Sequence, residues 1–159
     1  MRQRDFLEWP FFTPAHRDLA ERVESWAARH FAERADVRDA GHATAHDRNS
    51  IDATCRQLVR DLGAAGWTRY SVPFDPEGPV AEFDVRALAL IRETLAWHDA
   101  LADFAFAMQG LGSGAISLAG SSDIKHEYLP RVAGGQAIAA FALSEPDAGS
   151  DVAAIKCTA

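Results

Sequence analysis

The chain has 159 residues, 48% hydrophobic and 25% charged, with a formal net charge of −7. That length suits one domain with a sizeable core, and the composition is ordinary for a globular protein. The acidic balance and the lack of any basic run argue against nucleic acid or an anionic membrane surface as a partner, since both need clustered Lys and Arg.

Thr13-Pro14 is a helix start, a cap residue followed by Pro at the first helical position. After it Leu19, Val23, Trp26, Ala27 and Phe31 recur on one helical face. The stretch from Asp36 to Asn49 is polar and without period, and reads as a loop. Ser50 then caps a second helix with the stripe Ile51, Cys55, Leu58, Val59 and Leu62, ended by Gly63 or Gly66. "SVPFDPEGPV" holds three prolines and a glycine and breaks the helices. A third helix carries Val85, Leu88, Ile91 and Leu95. The uncharged run from Phe104 to Ser122 is too diluted by Gly, Ser and Gln for a membrane span; its Phe104–Leu118 part reads as the central, most buried helix. "SSDIKHEYLP" is a short helix capped by Ser121 or Ser122 and stopped before Pro130.

Character changes at Gly134-Gly135. "AIAAFAL", residues 137–143, suits a buried strand, and "VAAIKCTA" can begin another. Two strands do not make an independent sheet and leave backbone edges open. The expected organisation is therefore mainly α: a complete helical domain over 1–134, then a β domain over 135–159 cut off soon after it begins.

The N-terminus "MRQRDFLEWPFF" lacks the uninterrupted apolar stretch of a secretory signal. Cys55 and Cys157 match no metal or redox spacing and read as free thiols in a reducing compartment, the cytoplasm. Gly110, Gly112 and Ala115 in "QGLGSGA" formally satisfy a dinucleotide fingerprint, but helices surround them where a βαβ unit is needed; close helix packing explains them better. His42 and His46 stand four apart in an aperiodic segment with no Glu between, so a solvated loop outweighs a metal site. His98 and His126 are isolated and receive no role.

"ALSEPDAGSD" differs because its features reinforce one another. An apolar strand would deliver the backbone groups of Phe141, Ala142 and Leu143 to its end, and Ser144 adds a hydroxyl that donates and accepts. Glu145-Pro146 turns the chain, Gly149 permits close approach of a ligand, and Ser150 with nearby N–H groups can form a nest for phosphate oxygens. From chemistry alone a polar hairpin loop is an equally good reading.

"AFALSEPDAGSD" closely resembles the signature of the acyl-CoA dehydrogenase family, where an apolar strand runs into Ser/Thr-Glu-Pro and then Gly-Ser-Asp. The resemblance extends over "LAGSSDIKHEYLPRVAGGQAIAAFALSEPDAGSD". It is strong from about residue 84 and weak before residue 50. It implies an N-terminal helical bundle followed by the first strands of a truncated β-barrel-like domain. It further implies an FAD site in which main-chain groups of Phe141, Leu143 and Ser144 address the isoalloxazine ring and the Ser144 hydroxyl reaches N5. Gly149 and Ser150 would approach the pyrophosphate, with Ser150 also touching the CoA part of an acyl-CoA. The acyl chain would lie along Leu111, Gly112 and Ser113.

In the family the glutamate matching Glu145 belongs to the turn, and the base comes from a C-terminal helical part, so the resemblance places no catalytic residue and no metal ligand in this chain. The Trp-containing strand that covers the flavin is also missing. "PFDPEGPVAE" departs from a common Gly-Gly pair, and Asp147 stands where glycine is frequent. The implied reaction is acyl-CoA to trans-2-enoyl-CoA, with electrons passing to an electron-transfer flavoprotein, or to oxygen in an oxidase relative. A non-catalytic helical interaction module is the further alternative. Homo-oligomers are implied only for the complete protein, and residues 1–159 alone are expected to be inactive and to bind FAD poorly.

Overall fold

The computed structural model describes residues 4–40, 48–74 and 83–158. Five α-helices form among them: α1 (Pro14–Ala40), α2 (Arg48–Ala64), α3 (Val85–His98), α4 (Ala100–Ala119) and α5 (Ser122–Ala133). Helix α4 is the hub, packed against α2, α3 and α5, while α3 also packs against α1. No helix of the described residues is long and apolar enough to cross a membrane.

The start of α1 is built as Thr13-Pro14 requires, with His16 completing the cap. The Thr13 N–H donates to His16 Nδ1 at 3.0 Å and the Thr13 hydroxyl lies 2.8 Å from the same nitrogen. A ring nitrogen that accepts at Nδ1 carries its proton on Nε2, and His16 Nε2 lies 2.8 Å from Asp84 Oδ2. Asp84 is itself the cap of α3, accepting from the N–H groups of Arg86 and Ala87. One buried imidazole thus joins the caps of two helices 68 residues apart. Between α3 and α4 a single residue, Asp99, closes one helix and caps the next by accepting from the Leu101 N–H at 2.9 Å.

Burial pushes the Asp84 carboxyl upward, yet the side chains of Arg86 and His16 and the backbone N–H groups of Arg86 and Ala87 outweigh it and hold the group well below the ordinary value of 3.8. A depressed folded-state pKa contributes stability above the unfolded value that is lost as pH falls through 3.8 toward the folded value. Asn can keep the cap but not the charge. Asp84→Asn is therefore expected to lower the thermal midpoint at pH 7, with the gap to the wild type narrowing only as pH falls below 3.8. An equal gap at pH 7 and pH 3 would refute the charge term.

The larger core joins Leu19, Val23, Ala27 and Phe31 of α1 to Leu58, Val59 and Leu62 of α2, Ile91 and Leu95 of α3, and Ala102, Ala105 and Phe106 of α4. The stripe read for α1 is buried as expected, with Trp26 partly covered. A smaller cluster gathers Val72, Leu129, Val132 and Ala133 under α5.

Several boundaries differ from the sequence reading. Helix α1 continues through 36–40 and α2 begins at Arg48, so the expected loop shrinks from both sides. Once a helix is nucleated, each added residue gains a hydrogen bond without needing an apolar stripe. Ser50 lies inside α2, its carbonyl accepting from the Thr54 hydroxyl, and Ile51 is exposed. Gly66, at φ 80°, ends the turn after α2, whereas Gly63 sits within the helix. Helix α5 passes through Pro130; burial of Val132 and Ala133 in the next turn offsets the missing N–H. Val85, read as core, is exposed, and Ala87, Leu90 and Thr94 take the buried face of α3 with Ile91 and Leu95. His42 and His46 lie outside the described residues, as does most of the Pro-rich break.

Helix α4 is not buried all round. Ala102, Ala105, Phe106, Gln109 and Ser113 are covered, while Phe104, Leu111 and Leu118 are 57%, 52% and 77% exposed. The strands expected over 137–143 and after Asp151 do not form: among the described residues there is no ladder, only an isolated bridge between Glu145 and Ala148. A strand needs a partner edge, and none of the described residues supplies one.

Candidate functional site

The polar cluster is carried by a segment that leaves α5 and crosses α4. The exit is tight. Gly134 N–H bonds to the Pro130 carbonyl, and the Gln136 and Ala137 N–H groups both reach the Arg131 carbonyl, at 2.8 and 3.0 Å. Between them Gly135 takes φ 69°, a left-handed conformation that favours glycine. This turn is pressed into α2: a Cβ on Gly63 would stand 2.4 Å from Gly135 N. The two glycines are thus there for backbone contact.

Beyond the turn, Ala137 and Ala139 are partly buried against the smaller core. The Ala139 N–H donates to Gln109 Oε1 at 3.0 Å, and a Cβ on Gly112 would lie 2.6 Å from Ala140 N. From Ala140 to Ser144 the backbone N–H and C=O groups find no partner among the described residues, and Phe141 and Leu143 are exposed. A run of open donors and acceptors flanked by apolar side chains suits a flat, polar-edged ligand. Beside it a pocket of about 240 Å³ opens between α2 and α4, lined by Cys55, Val59, Phe104, Met108, Ile138 and Phe141 among others. Burial, with Asp52 and Asp99 adding to it, pushes the Cys55 thiol up, away from the nucleophilic thiolate.

After Ser144 the chain folds back. Glu145 and Ala148 exchange two backbone hydrogen bonds of 3.1 Å, and the Glu145 carboxylate accepts from the N–H groups of Lys156 and Cys157, both at 2.9 Å. Lys156 Nζ closes the loop on Asp147 Oδ2 at 2.9 Å. Both oxygens of Glu145 therefore act as a brace for the turn, as its place beside Pro146 suggested.

Phe141, Ala142, Leu143 and Ser144 share one exposed run outside any helix, strand or turn, and Gly149 and Ser150 are exposed in the bend after it. Nothing lies within 4 Å of where a Gly149 Cβ would be, so its backbone is open to approach. The α4 residues divide. Gly112 meets the segment, Leu111 lies on the exposed face, and Ser113 is 1% exposed with its hydroxyl donating to the Gln109 carbonyl at 2.6 Å. Ser113 is thus spent inside the helix. Gly110 abuts the Ser71 carbonyl, so the apparent dinucleotide fingerprint is packing. His98 binds Glu24 and stacks on Phe31; His126 binds the Ser122 carbonyl. Among the described residues no three His, Cys, Asp or Glu side chains gather as metal ligands. Sequence reasoning missed Gln109, although a lone amide in an uncharged apolar helix is a signal, because a buried amide requires partners.

Residues 13–136 match the family model described as "Acyl-CoA dehydrogenase, N-terminal domain". The chain belongs to the acyl-CoA dehydrogenase family. It is 46% identical over 110 residues to the very long-chain specific acyl-CoA dehydrogenase, mitochondrial, of Rattus norvegicus, a stretch covering 69% of this chain and 16% of that protein. Against the probable acyl-CoA dehydrogenase fadE25 of Mycobacterium leprae the identity is 37% over 103 residues, 65% of this chain and 26% of the relative. The human very long-chain specific enzyme is 34% identical over 110 residues, again 69% of this chain and 16% of its own length. The chain spans well under half the length of the relatives it matches. In this acyl-CoA dehydrogenase family member the matched domain ends at residue 136, where the crossing segment starts.

Proposed function

We propose that this chain is the N-terminal part of an FAD-dependent acyl-CoA dehydrogenase, with its helical domain over 1–134 and the start of the middle β domain over 135–159. The observation that carries the reading is the Ala140–Ser144 run, anchored to α4 through Ala139 with its backbone groups unpartnered among the described residues, in a chain of this family. Main-chain groups of Phe141, Leu143 and Ser144 and the Ser144 hydroxyl would meet the polar edge of the isoalloxazine, and the open Gly149–Ser150 backbone the pyrophosphate. When bound, FAD supplies the hydride acceptor for conversion of an acyl-CoA to the trans-2-enoyl-CoA, and no residue of this chain is assigned the proton-abstracting base.

The chain's own work is to hold and to orient. The exposed apolar face of α4 offers Leu111 and Phe104 to an acyl chain, whose contact with them excludes water. The names of the rat and human relatives favour a long acyl chain. An electron-transfer flavoprotein is the proposed acceptor of the electrons, and the cytoplasm the proposed compartment.

The test uses the purified protein that carries this chain. A flavin absorbance band bleached anaerobically by palmitoyl-CoA is the expected result; absence of the band, or no bleaching by any acyl-CoA, would sink the reading. Reoxidation with oxygen consumption would instead mark an oxidase. Ser144→Ala removes one hydrogen bond worth about 1 kcal/mol, so FAD should bind roughly 5-fold more weakly.

A further inference from the structure

Gln109 is a polar residue in the middle of the longest uncharged stretch of the chain, and it is 1% exposed. A Leu or Met would fill the same space without the cost of burying an amide. Both ends of the amide are used: Nε2 donates to the Ala105 carbonyl at 3.0 Å and Oε1 accepts from the Ala139 N–H at 3.0 Å. The donor on one side and the carbonyl on the other leave the amide a single productive orientation. Three residues on, and so on the same side of α4, Gly112 lets the crossing backbone come closer than any side chain would allow, since its Cβ would stand 2.6 Å from Ala140 N and 2.8 Å from Ala139 Cβ.

We infer that Gln109 is a positioning residue for the flavin-contacting backbone, with Gly112 as its steric counterpart. The inference rests on the flavin reading above. An extended segment has a period of two, and a slip by one residue turns every side chain to the opposite side. Ala137 and Ala139 pack toward the body of the protein while Ile138 is 54% exposed. The Arg131 carbonyl already holds Ala137, and the bond at Ala139 is the last before the open run; it therefore decides which of Phe141 and Ala142 faces which way, because nothing between Ala140 and Ser144 is otherwise bonded. Gln109 selects the register of the segment and Gly112 sets its height over α4.

Two variants of the protein that carries this chain test this, each read by amide exchange at Ala139 and by the visible spectrum and FAD affinity of the flavin-loaded form. Gln109→Met keeps the volume and removes the acceptor; Gly112→Ala keeps the acceptor, favours the helix and pushes the segment outward. The expected result is exchange at Ala139 roughly 10-fold faster in Gln109→Met, with the same displaced flavin band and weakened FAD in both variants and no further change in the double variant. A solely structural role would lower thermal stability without moving the flavin band. Unchanged Ala139 exchange in Gln109→Met, or an unchanged flavin band and affinity in both variants, overturns the inference alone. A wild-type protein that holds no flavin overturns the reading beneath it, and is told apart because the failure precedes any substitution.

Discussion

Phe106→Ala is expected to destabilise the chain by about 3–5 kcal/mol, the usual cost of removing a fully buried aromatic side chain. Phe106 is 0% exposed and lies in the core formed with Leu58, Leu62, Ile91 and Leu95. Domains of this size are typically stable by about 5–15 kcal/mol, so the loss takes a large share of the total. Urea unfolding should show a lower midpoint with little change in slope. Two residues away, Phe104 is 57% exposed on the opposite side of α4, and Phe104→Ala should stay within about 1 kcal/mol of the wild type. Comparable losses in the two variants would mean that α4 is buried all round, contrary to the arrangement described.

The second large effect falls on the glycine turn. Gly135→Ala places a Cβ 2.5 Å from the Val59 carbonyl oxygen and 3.1 Å from Arg60 Cα, at a residue already in the left-handed region at φ 69°. The conformation costs an L-residue about 1–2 kcal/mol, and the overlap with backbone adds about 1–3 kcal/mol because backbone cannot swing aside. Gly66→Ala serves as the comparison. Its φ is 80° but nothing lies within 4 Å of the new atom, so only the conformational part should appear. Thermal midpoints of the two variants separate the terms. If Gly135→Ala costs no more than Gly66→Ala, the close seating of the turn on α2 is wrong.

These two sites also show where local pattern is silent. Apolar spacing in Leu19, Val23, Ala27 and Phe31 identified the buried face of α1 because a lone helix must turn such a stripe inward. It could not rank the faces of α4, where nearly every residue is apolar or small and the helical period carries no contrast. Only its neighbours α2, α3 and α5 decide that Phe106 is covered and Phe104 is not. Likewise Gly134-Gly135 was legible as a change of character, but the reason for it, a helix carbonyl 2.5 Å from where a Gly135 Cβ would stand, depends on α2 some 70 residues earlier.

The apolar run 137–143 has the composition of a strand, yet a strand is a property of two segments, and the described residues offer it no second edge. What does hold it is the Ala137 N–H on the Arg131 carbonyl, the Ala139 N–H donating to Gln109 Oε1, and the gap left by Gly112. The sequence by itself determined the helix count, the α1 cap, the turn at Glu145-Pro146 and the family, because caps, periods and a contiguous signature are local. Tertiary structure decided the helix ends, the open face of α4 and the seat of the Ala140–Ser144 backbone, because each of these is settled by atoms distant in the chain competing for the same space.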